Sequence, residues 1–219
     1  MTVRAKGTRE RIVESARHLF NEQGYGAVTT AALAAHCGLA EGNLWYHFRT
    51  KRSLLDALGE RFAQTIEARL RLAPEGDPVG AYARMLGGIM AEFRDFRFLY
   101  RDQHSFGEHP EVVRGKVPQW IAKTYDQIEQ HLTALVVDGQ LDWPTERLGD
   151  LAVNATIILR YGLDHYRELG EATGEGSQAV KRTLARHLTL FEHRLTSESA
   201  LRLKSALQCI ETVPRPLSP

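Results

Sequence analysis

Near its N-terminus the chain carries the pattern that most restricts its fold, two short helical segments separated by a glycine. Thr29 and Thr30 can accept hydrogen bonds from the free amides at the start of a helix. Gly38 permits a sharp turn before a second helix. Leu44 and Phe48, four residues apart, define the inward face of that helix. The segment therefore predicts a helix-turn-helix, a motif that places its second helix in the major groove of DNA.

The second predicted helix has an unusual surface for a helix that only faces solvent. Trp45, Tyr46 and His47 follow one another, so their side chains point in different directions and cannot all lie in one core. Aromatic and polar groups in this arrangement suit contacts to the sugars and phosphates of a duplex. The alternative is a small three-helix domain whose aromatic residues pack against the rest of the chain, and for His47 a buried role stays open.

The sequence from Thr8 to Leu58 resembles the DNA-binding domain of the tetracycline repressor (TetR) family. The matching features lie at the end of the first helix, the start of the second, the glycine turn, the third helix and the residues beyond it: Gly24-Tyr25, Thr29-Thr30, Leu33-Ala34, Gly38-Leu39, Gly42 to Phe48, Lys51, Leu54 and Leu55. The resemblance implies a transcriptional regulator that binds a palindromic operator in double-stranded DNA as a homodimer.

The resemblance also implies which residues contact DNA. Base contacts are expected from Glu41, Gly42 and Asn43, and phosphate contacts from Thr30, Trp45, Tyr46, His47 and Lys51, with Lys6 added from a basic N-terminal arm. Three positions depart from the family pattern: Ala40 replaces a capping Ser, Glu41 replaces a Lys, Arg or Gln, and Trp45 replaces a Tyr. Glu41 could accept from a cytosine amino group, or simply place a favourable charge at a helix N-terminus.

Charge is unevenly distributed along the chain, although the net charge is only +1. Residues 1–52 contain eight Lys and Arg against four Asp and Glu, whereas the remainder contains 20 basic and 23 acidic residues. A basic module on a slightly acidic body is typical of a phosphate-binding domain joined to one that does not bind DNA. Chance asymmetry at these counts is the alternative.

The two cysteines, Cys37 and Cys209, are far apart and have no metal-binding or redox spacing. This predicts free thiols and a cytoplasmic location. The N-terminus lacks the apolar core of a secretion signal, and the most apolar run, residues 151–159, is too short to span a bilayer. No association with a membrane is therefore expected.

Beyond the N-terminal region the chain shows helical periodicity and almost no strand pattern, so the predicted fold is all-α. We predict a three-helix helix-turn-helix domain over residues 1–52 and a larger ligand-binding and dimerisation domain over 53–197. The larger domain begins with a connecting helix at 53–73, and a short helix and disordered tail are predicted over 198–219. Further helices are predicted between Gly- and Pro-containing breaks, at 79–96, 98–106, 112–138, 145–169 and 177–195.

An aromatic-rich middle region and one face of the 145–169 helix together predict a pocket for a small, largely apolar effector. Along that face Asn154, Ile158, Tyr161 and His165 are spaced 4, 3 and 4 residues apart. The aromatic region adds Met90, Phe93, Phe106, Trp120 and Tyr125. An ordinary hydrophobic core is the alternative for each of these residues, and Arg101-Asp102 could form an internal ion pair.

An apolar stripe near the end of the predicted larger domain requires a helical partner. Its members are spaced 4, 4, 3 and 4 residues apart: Val180, Leu184, Leu188, Phe191 and Leu195. The resemblance places them in a four-helix dimer interface, and a core contact within one chain is the alternative. Dimerisation would let two recognition helices contact half-sites about 34 Å apart.

No motif for catalysis or metal binding competes with these predictions. The nine histidines show no spacing that completes a metal-ligand set. The sequence also lacks a Gly-rich phosphate loop, a nucleophile elbow and a paired-carboxylate signature, so we predict no metal, no cofactor and no catalytic residue. The hypothesis is a repressor released by a ligand. The alternatives are a helical carrier or enzyme for an apolar molecule, and a DNA-coating protein indifferent to sequence.

Overall fold

The computed structural model of the chain describes residues 7–102, 106–107, 110, 113–174 and 176–210. Ten α-helices occupy most of these residues: α1 (Thr8–Gln23), α2 (Thr30–His36), α3 (Glu41–His47), α4 (Lys51–Leu70), α5 (Pro78–Asp95), α6 (Arg97–Arg101), α7 (Val117–Val137), α8 (Leu148–Glu168), α9 (Ala179–Leu188) and α10 (Ser197–Gln208). The predicted all-α fold is confirmed, and the predicted tail beyond residue 210 lies outside the described residues.

The chain divides into two compact units. The first contains the residues up to Thr65 together with Asp95–Lys116, and the second contains Ile66–Arg94 together with the residues from Val117 onward. The sequence predicts a boundary near residue 52. The structure instead groups α6 and most of α4 with the N-terminal helices.

Polar contacts fix α6 against α1 in the first unit. The Asn21 side chain donates to the Asp95 carbonyl oxygen at 2.8 Å and accepts from the Phe98 backbone amide at 3.1 Å. The Arg101 guanidinium donates to the carbonyl oxygens of Phe20 and Asn21, at 2.8 and 3.0 Å. Arg101 thereby places positive charge at the negative end of the α1 dipole, which stabilises that helix end.

Arg101 also forms the ion pair that the sequence leaves open, with 2.5 Å between its Nε and Asp102 Oδ1. Asp102 in turn accepts from the backbone amide of Tyr25 at 2.7 Å. The end of α6 therefore supports the turn between α1 and α2.

The connecting helix α4 begins at Lys51, slightly before its predicted start at residue 53. Thr50 and Ser53 cap it reciprocally. The Ser53 amide donates to Thr50 Oγ1 at 3.0 Å, and the Thr50 amide donates to Ser53 Oγ at 3.2 Å. This exchange satisfies amides that have no partner within the helix, which accounts for the earlier start.

The other end of α4 is held inside the second unit by the buried guanidinium of Arg69. Its Nε donates to Glu92 Oε2 on α5 at 2.8 Å. Its Nη atoms donate to Gln127 Oε1 and Thr124 Oγ1 on α7, at 2.8 and 3.1 Å. Gln127 then donates to the carbonyl oxygens of Arg69 and Leu72, at 2.8 and 3.0 Å. This network, termed the Arg69 clamp, joins α4, α5 and α7, and removing one partner of such a buried ion pair costs about 3–5 kcal/mol.

In the second unit α7 packs against α8 and α8 against α9. At Gly162 on α8 the approach of α9 is so close that a Cβ would lie 2.4 Å from Thr183 Cγ2, so glycine is required there. Tyr82 on α5 and His187 on α9 are both fully buried, with 2.8 Å between the Tyr82 hydroxyl and His187 Nε2. The core of this unit therefore contains a neutral polar pair.

The helix predicted over 177–195 is α9, which runs only from Ala179 to Leu188. Leu195 lies beyond its end and forms an isolated antiparallel bridge with Leu141. The prediction of one continuous stripe is corrected at this position, because strand-like pairing replaces helical hydrogen bonding there.

None of the helices in the described ranges combines the length and the apolar character that a bilayer crossing requires. In the same residues no group of three His, Cys, Asp or Glu side chains is arranged to hold a metal ion. Cys37 is buried and Cys209 is exposed, and both are free thiols.

The buried His187 predicts that the chain loses stability in acid. Burial lowers the pKa of His187 from 6.5 to about 3, so below pH 6.5 the unfolded chain binds a proton that the folded chain does not. The stability contributed by neutral His187 is complete above about pH 6.5 and declines as the pH falls toward about 3. Burial also lowers the pKa of His131, which adds an effect of the same sign. One such proton gives a slope of at most about 1.4 kcal/mol per pH unit.

Urea unfolding between about pH 7 and about pH 4 measures this slope. His187→Gln removes the titrating group and should flatten the pH dependence, whereas His193→Gln, at an exposed position of the same unit, should leave it unchanged. A slope that persists in His187→Gln would assign the acid sensitivity to another group.

Candidate nucleic-acid interface

The helices α2 and α3 form the predicted helix-turn-helix. Thr29 caps α2, its hydroxyl oxygen accepting from the Ala32 amide at 3.1 Å. The turn depends on Gly38, whose φ of 65° lies in a region that L side chains rarely adopt. The Leu39 amide then donates to the Ala34 carbonyl oxygen at 2.9 Å and closes the end of α2. Local residues alone therefore set the entry to α3.

Two apolar side chains anchor α3 and leave one of its sides free. Leu44 and Phe48 are buried, as predicted. Gly42, Asn43 and Tyr46 are exposed, and Tyr46 is 86% exposed. These three residues, termed the exposed α3 edge, present an amide, a phenol and open backbone on a short, well-anchored helix. An aromatic side chain this exposed indicates a contact surface for a partner.

Trp45 and His47 flank the exposed α3 edge and are partly packed. Trp45 is 36% exposed and lines a small cavity with Leu44 and Phe48. His47 is half-buried, and its ring meets the Tyr46 ring edge-on with centroids 5.3 Å apart. Both residues therefore help to hold the edge as well as border it.

Glu41 links the two helices of the motif. Its carboxylate accepts a hydrogen bond from the Thr30 hydroxyl at 2.9 Å, which joins the first residue of α3 to the first residue of α2. Ala40 provides no side-chain cap, and the Glu41 charge lies where the α3 dipole favours an anion. Glu41 has two possible roles, a contact to a DNA base and a role within the protein at the start of α3. The hydrogen bond from Thr30 is a contact of the second kind.

Lys51 is engaged within the first unit. Its ammonium donates to the Tyr25 carbonyl oxygen and lies over the rings of Tyr25 and Phe20, 4.1 and 5.6 Å from their centroids. Burial lowers the pKa of Lys51. Lys51 therefore packs between α4 and the turn after α1. Because an ammonium has three N–H donors, its phosphate contact stays a prediction.

Lys6, the remaining predicted DNA contact, lies outside the described residues. Among the described basic residues, Arg9 places its guanidinium 4.8 Å from the centroid of the Phe48 ring. Arg49 directly follows Phe48 and is exposed. Arg49 is not among the predicted DNA contacts, and its position just past α3 is the sequence signal that adds it to this surface.

The predicted effector residues are distributed over both units. Phe106 belongs to the first unit, where its ring meets those of Tyr25 and Phe98, with centroids 5.1 and 6.5 Å apart. The other members of the aromatic region belong to the second unit, where they are buried or half-buried: Met90, Phe93, Trp120 and Tyr125. Phe106 therefore packs beside the turn after α1.

The remaining predicted effector residues lie on the outside of α8. Ile158 is half-buried, and the others are exposed: Asn154, Tyr161 and His165. Val153 and Ile157 are exposed on the same side of the helix. We define the α8 face as Val153, Asn154, Ile157, Tyr161 and His165. Its polar members therefore face away from the core of the second unit, and their contact with an effector stays a prediction.

The predicted dimer stripe is mostly core. Four of its members are between 0% and 3% exposed: Val180, Leu184, Leu188 and Phe191. A side chain already buried in its own chain contributes no surface to a partner chain. These four residues therefore make the contact within one chain that the sequence leaves open as the alternative.

Comparison with known proteins places this geometry in a family. Residues 12–58 match the model described as bacterial regulatory proteins, tetR family. Residues 61–203 match the TetR model described as bacterial transcriptional repressor. The chain belongs to the TetR family. Members of the TetR family are transcription factors and not enzymes, which confirms that prediction.

Curated TetR-family relatives match over part of their length. The class A tetracycline repressor from transposon 1721 of Escherichia coli is 36% identical over 91 residues, 42% of this chain and 40% of that protein. The class D tetracycline repressor of Escherichia coli is 31% identical over 136 residues, 62% of this chain and 56% of that protein. The chain thus spans between 40% and 56% of these two relatives.

Solved structures of TetR-family proteins share the fold. A regulator from Marinobacter aquaeolei VT8 gives a TM-score of 0.74 at 21% identity, covering 94% of this chain and 100% of that chain. The protein CprB from S. coelicolor A3(2) gives a TM-score of 0.65 at 21% identity, covering 95% and 98%. Together with the two family models, they confirm the predicted order of a helix-turn-helix domain followed by a larger helical domain.

Replacing Lys51 by Ala should destabilise the first unit. The change removes the hydrogen bond to the Tyr25 carbonyl oxygen and the cation–π contact, so the free energy of unfolding should fall by about 1–2 kcal/mol. Urea unfolding of the full chain measures this difference. Arg49→Ala, which removes the same charge from an exposed position, is the matched control and should change stability by less than about 0.5 kcal/mol. Unaltered stability in Lys51→Ala would contradict the packing role.

Proposed function

We propose that this TetR-family protein represses transcription by binding a palindromic DNA operator as a homodimer, and that a small effector releases it. The exposed α3 edge carries the proposal, because Gly42, Asn43 and Tyr46 remain free while Leu44 and Phe48 anchor the helix. Entry into the major groove requires a short, fixed helix with one such free side.

Each residue of the exposed α3 edge offers a different contact to DNA. Gly42 lets the backbone approach closely, and the Asn43 amide can bind adenine N6 and N7 together. The Tyr46 hydroxyl can donate to a phosphate oxygen. Thr30, Trp45, His47 and Lys6 are proposed to add flanking contacts. Arg49 supplies positive charge next to this edge, which favours release of counterions from the duplex.

Dimerisation is supported by the apolar part of the α8 face. Val153, Ile157 and Tyr161 repeat every fourth residue and are 37%, 48% and 56% exposed. An apolar stripe on the outside of a helix is typical of an interaction surface. We infer that a second copy of the chain covers it, so that two α3 helices contact the two halves of a palindrome.

Release by an effector is supported by what relatives bind. A gamma-butyrolactone receptor shares the fold with a TM-score of 0.61 at 19% identity. A regulator from Saccharomonospora viridis, solved in complex with choline, shares it with a TM-score of 0.62 at 18% identity. Regulators with this fold therefore recognise chemically different small molecules. The fold alone does not determine which effector this chain binds.

The connecting helix gives the effector a route to the DNA contacts. Residues of α4 up to Thr65 belong to the first unit, and its end at Leu70 belongs to the second. A ligand that binds more tightly to one arrangement of the second unit shifts α4 toward that arrangement. The factor by which the ligand changes operator affinity then equals the factor by which the operator changes ligand affinity. We infer that the protein acts in the cytoplasm, where the bacterial chromosome is accessible.

Titration of the purified full-length protein against its own upstream region, a footprinted inverted repeat and random DNA tests the proposal. The inverted repeat should be preferred by at least about 10³-fold at physiological salt. Equal affinity for all duplexes would instead identify a DNA-coating protein, and negligible affinity would favour a carrier or enzyme.

Two substitutions on the exposed α3 edge separate base contacts from backbone contacts. Asn43→Ala should cost about 1–3 kcal/mol at one base position and relax the preference there. Tyr46→Ala should weaken binding to the inverted repeat and to random DNA alike. Val137→Ala, at an exposed position of α7, is the control for a neutral surface change. Wild-type binding by both edge variants would refute the interface.

Ile157→Asp should convert the dimer to monomers, because it places a charge in the centre of the apolar stripe. Analytical ultracentrifugation measures the change. Leu201→Asp alters an equally apolar side chain, 70% exposed on α10, and is the matched control. A dimer that survives Ile157→Asp but dissociates in Leu201→Asp would move the interface to α10.

A further inference from the structure

The second unit carries two adjoining cavities beside α5. One, of about 700 Å³, lies between α5 and the end of α10. The other, of about 260 Å³, lies between the start of α5, the residues after α4 and His131 on α7. Leu72 and Arg84 line both cavities, so the two lie side by side. The larger one falls within the range of about 300–1,000 Å³ that is typical of ligand pockets.

The floor of the larger cavity is kept free of side chains by Gly87 and Gly88 in the interior of α5. Each glycine costs a helix interior about 1 kcal/mol relative to alanine. A Cβ at Gly87 would lie 3.5 Å from Ile210 Cδ1, and one at Gly88 would lie 3.7 Å from Arg69 Cδ, both ordinary contacts. Neither glycine has a positive φ. Packing and backbone geometry therefore do not require these glycines, and what they preserve is the depth of the cavity.

The smaller cavity is rich in positive charge. Arg71 and Arg84 line it, and both are exposed. Within the described residues neither forms an ion pair, and Arg84 donates only to the Glu75 carbonyl oxygen, at 3.2 Å. The Glu75 carboxylate is the single acidic group that lines this cavity. Two guanidinium groups facing one carboxylate leave room for the charge of a bound anion.

A buried histidine forms the inner wall of the same cavity. His131 is 1% exposed, and its Nδ1 lies 2.8 Å from the Gln127 carbonyl oxygen. In the described part of the chain no hydrogen bond reaches its Nε2. Burial and the charge of Arg84 both lower the pKa of His131, and a bound anion would oppose both effects.

We propose that these cavities form a binding site for an amphipathic anion, a carboxylate on an elongated apolar body. The carboxylate is held by Arg71, Arg84 and the Nε2 of His131. The apolar body lies along the surface left open by Gly87 and Gly88.

The position of this site connects it to the helix that leads to DNA, a step that rests on the proposed function. Arg71 directly follows α4, which ends at Leu70. Gln127 accepts from Arg69, donates to the Arg69 and Leu72 carbonyl oxygens, and holds the His131 ring through its own carbonyl oxygen. An anion at His131 therefore acts on the turn of α7 that fixes the end of α4. Occupancy of the site and affinity for DNA are then linked reciprocally.

Calorimetric titration of the full-length protein with decanoate tests the site, with decanol and acetate as the uncharged and headgroup-only probes. Decanoate should bind saturably, with one molecule per chain, and at least about tenfold more tightly than either control probe. Arg84→Gln and Arg71→Gln should each weaken decanoate binding by at least about tenfold. Lys204→Gln, which removes one exposed charge of the same unit outside both cavities, should leave it unchanged.

A second variant tests the apolar half of the site. Gly87→Leu should fill the groove and weaken decanoate binding at least about tenfold without affecting acetate, with circular dichroism checking that the variant is folded. If Gly87→Leu does not fold, Gly87→Ala is the substitute, because its Cβ meets only ordinary contacts. Decanol binding as tightly as decanoate, or wild-type affinity in both arginine variants, would overturn the site.

The link to DNA is measured separately. Saturating decanoate should lower the affinity for the inverted repeat in the wild-type chain and not in Arg84→Gln. Saturable decanoate binding with unchanged DNA affinity would overturn the link while supporting the site. Failure of the ligand-free protein to prefer any inverted repeat would overturn the proposed function. The calorimetric titration would still show whether the decanoate site exists.

Discussion

The buried guanidinium of Arg69 is the interaction on which the second unit depends. It reaches Glu92 on α5 and Gln127 and Thr124 on α7 from the last turn of α4. In a poorly hydrated interior these charge-assisted hydrogen bonds are strong together and costly to break singly. The end of α4 therefore moves with α5 and α7. This stiffness supports the proposed effector response, because a loosely held α4 would absorb a ligand-induced shift before it reached the DNA-binding residues.

Local signals in the sequence were sufficient for the helix-turn-helix and insufficient for the faces of the long helices. Thr29 caps a helix and Gly38 forms a turn within a few residues of their own positions. A short segment of sequence is therefore enough to predict both. On α8 the core side and the α8 face both contain apolar residues at helical spacing. The choice between them is made by α9, where Thr183 packs against Gly162 so tightly that this side must be inside. No property of α8 alone carries that information.

The same reason explains why the grouping of α6 with the N-terminal helices is not evident from the sequence. Asn21 and Asp95 are 74 positions apart, yet their hydrogen bond is part of what attaches α6 to α1. Phe106 follows this segment along the chain and is a neighbour of Tyr25. Lys51 carries the expected charge but directs it to the Tyr25 carbonyl oxygen. In each case the sequence shows the chemical type of the side chain but not the residue that it contacts in the fold.

The carboxylate of Glu41, fixed by the Thr30 hydroxyl at the tip of α3, sets a negative charge on a surface that must approach a polyanion. Coulomb repulsion grows as water is squeezed out between like charges, so any registry that brings a backbone phosphate to this point is penalised. A registry in which Glu41 meets a base amino group escapes the penalty. Such a charge gives specificity by destabilising the wrong complexes. The protein then dissociates faster from misaligned DNA sites and spends less time bound at incorrect sequences of the chromosome.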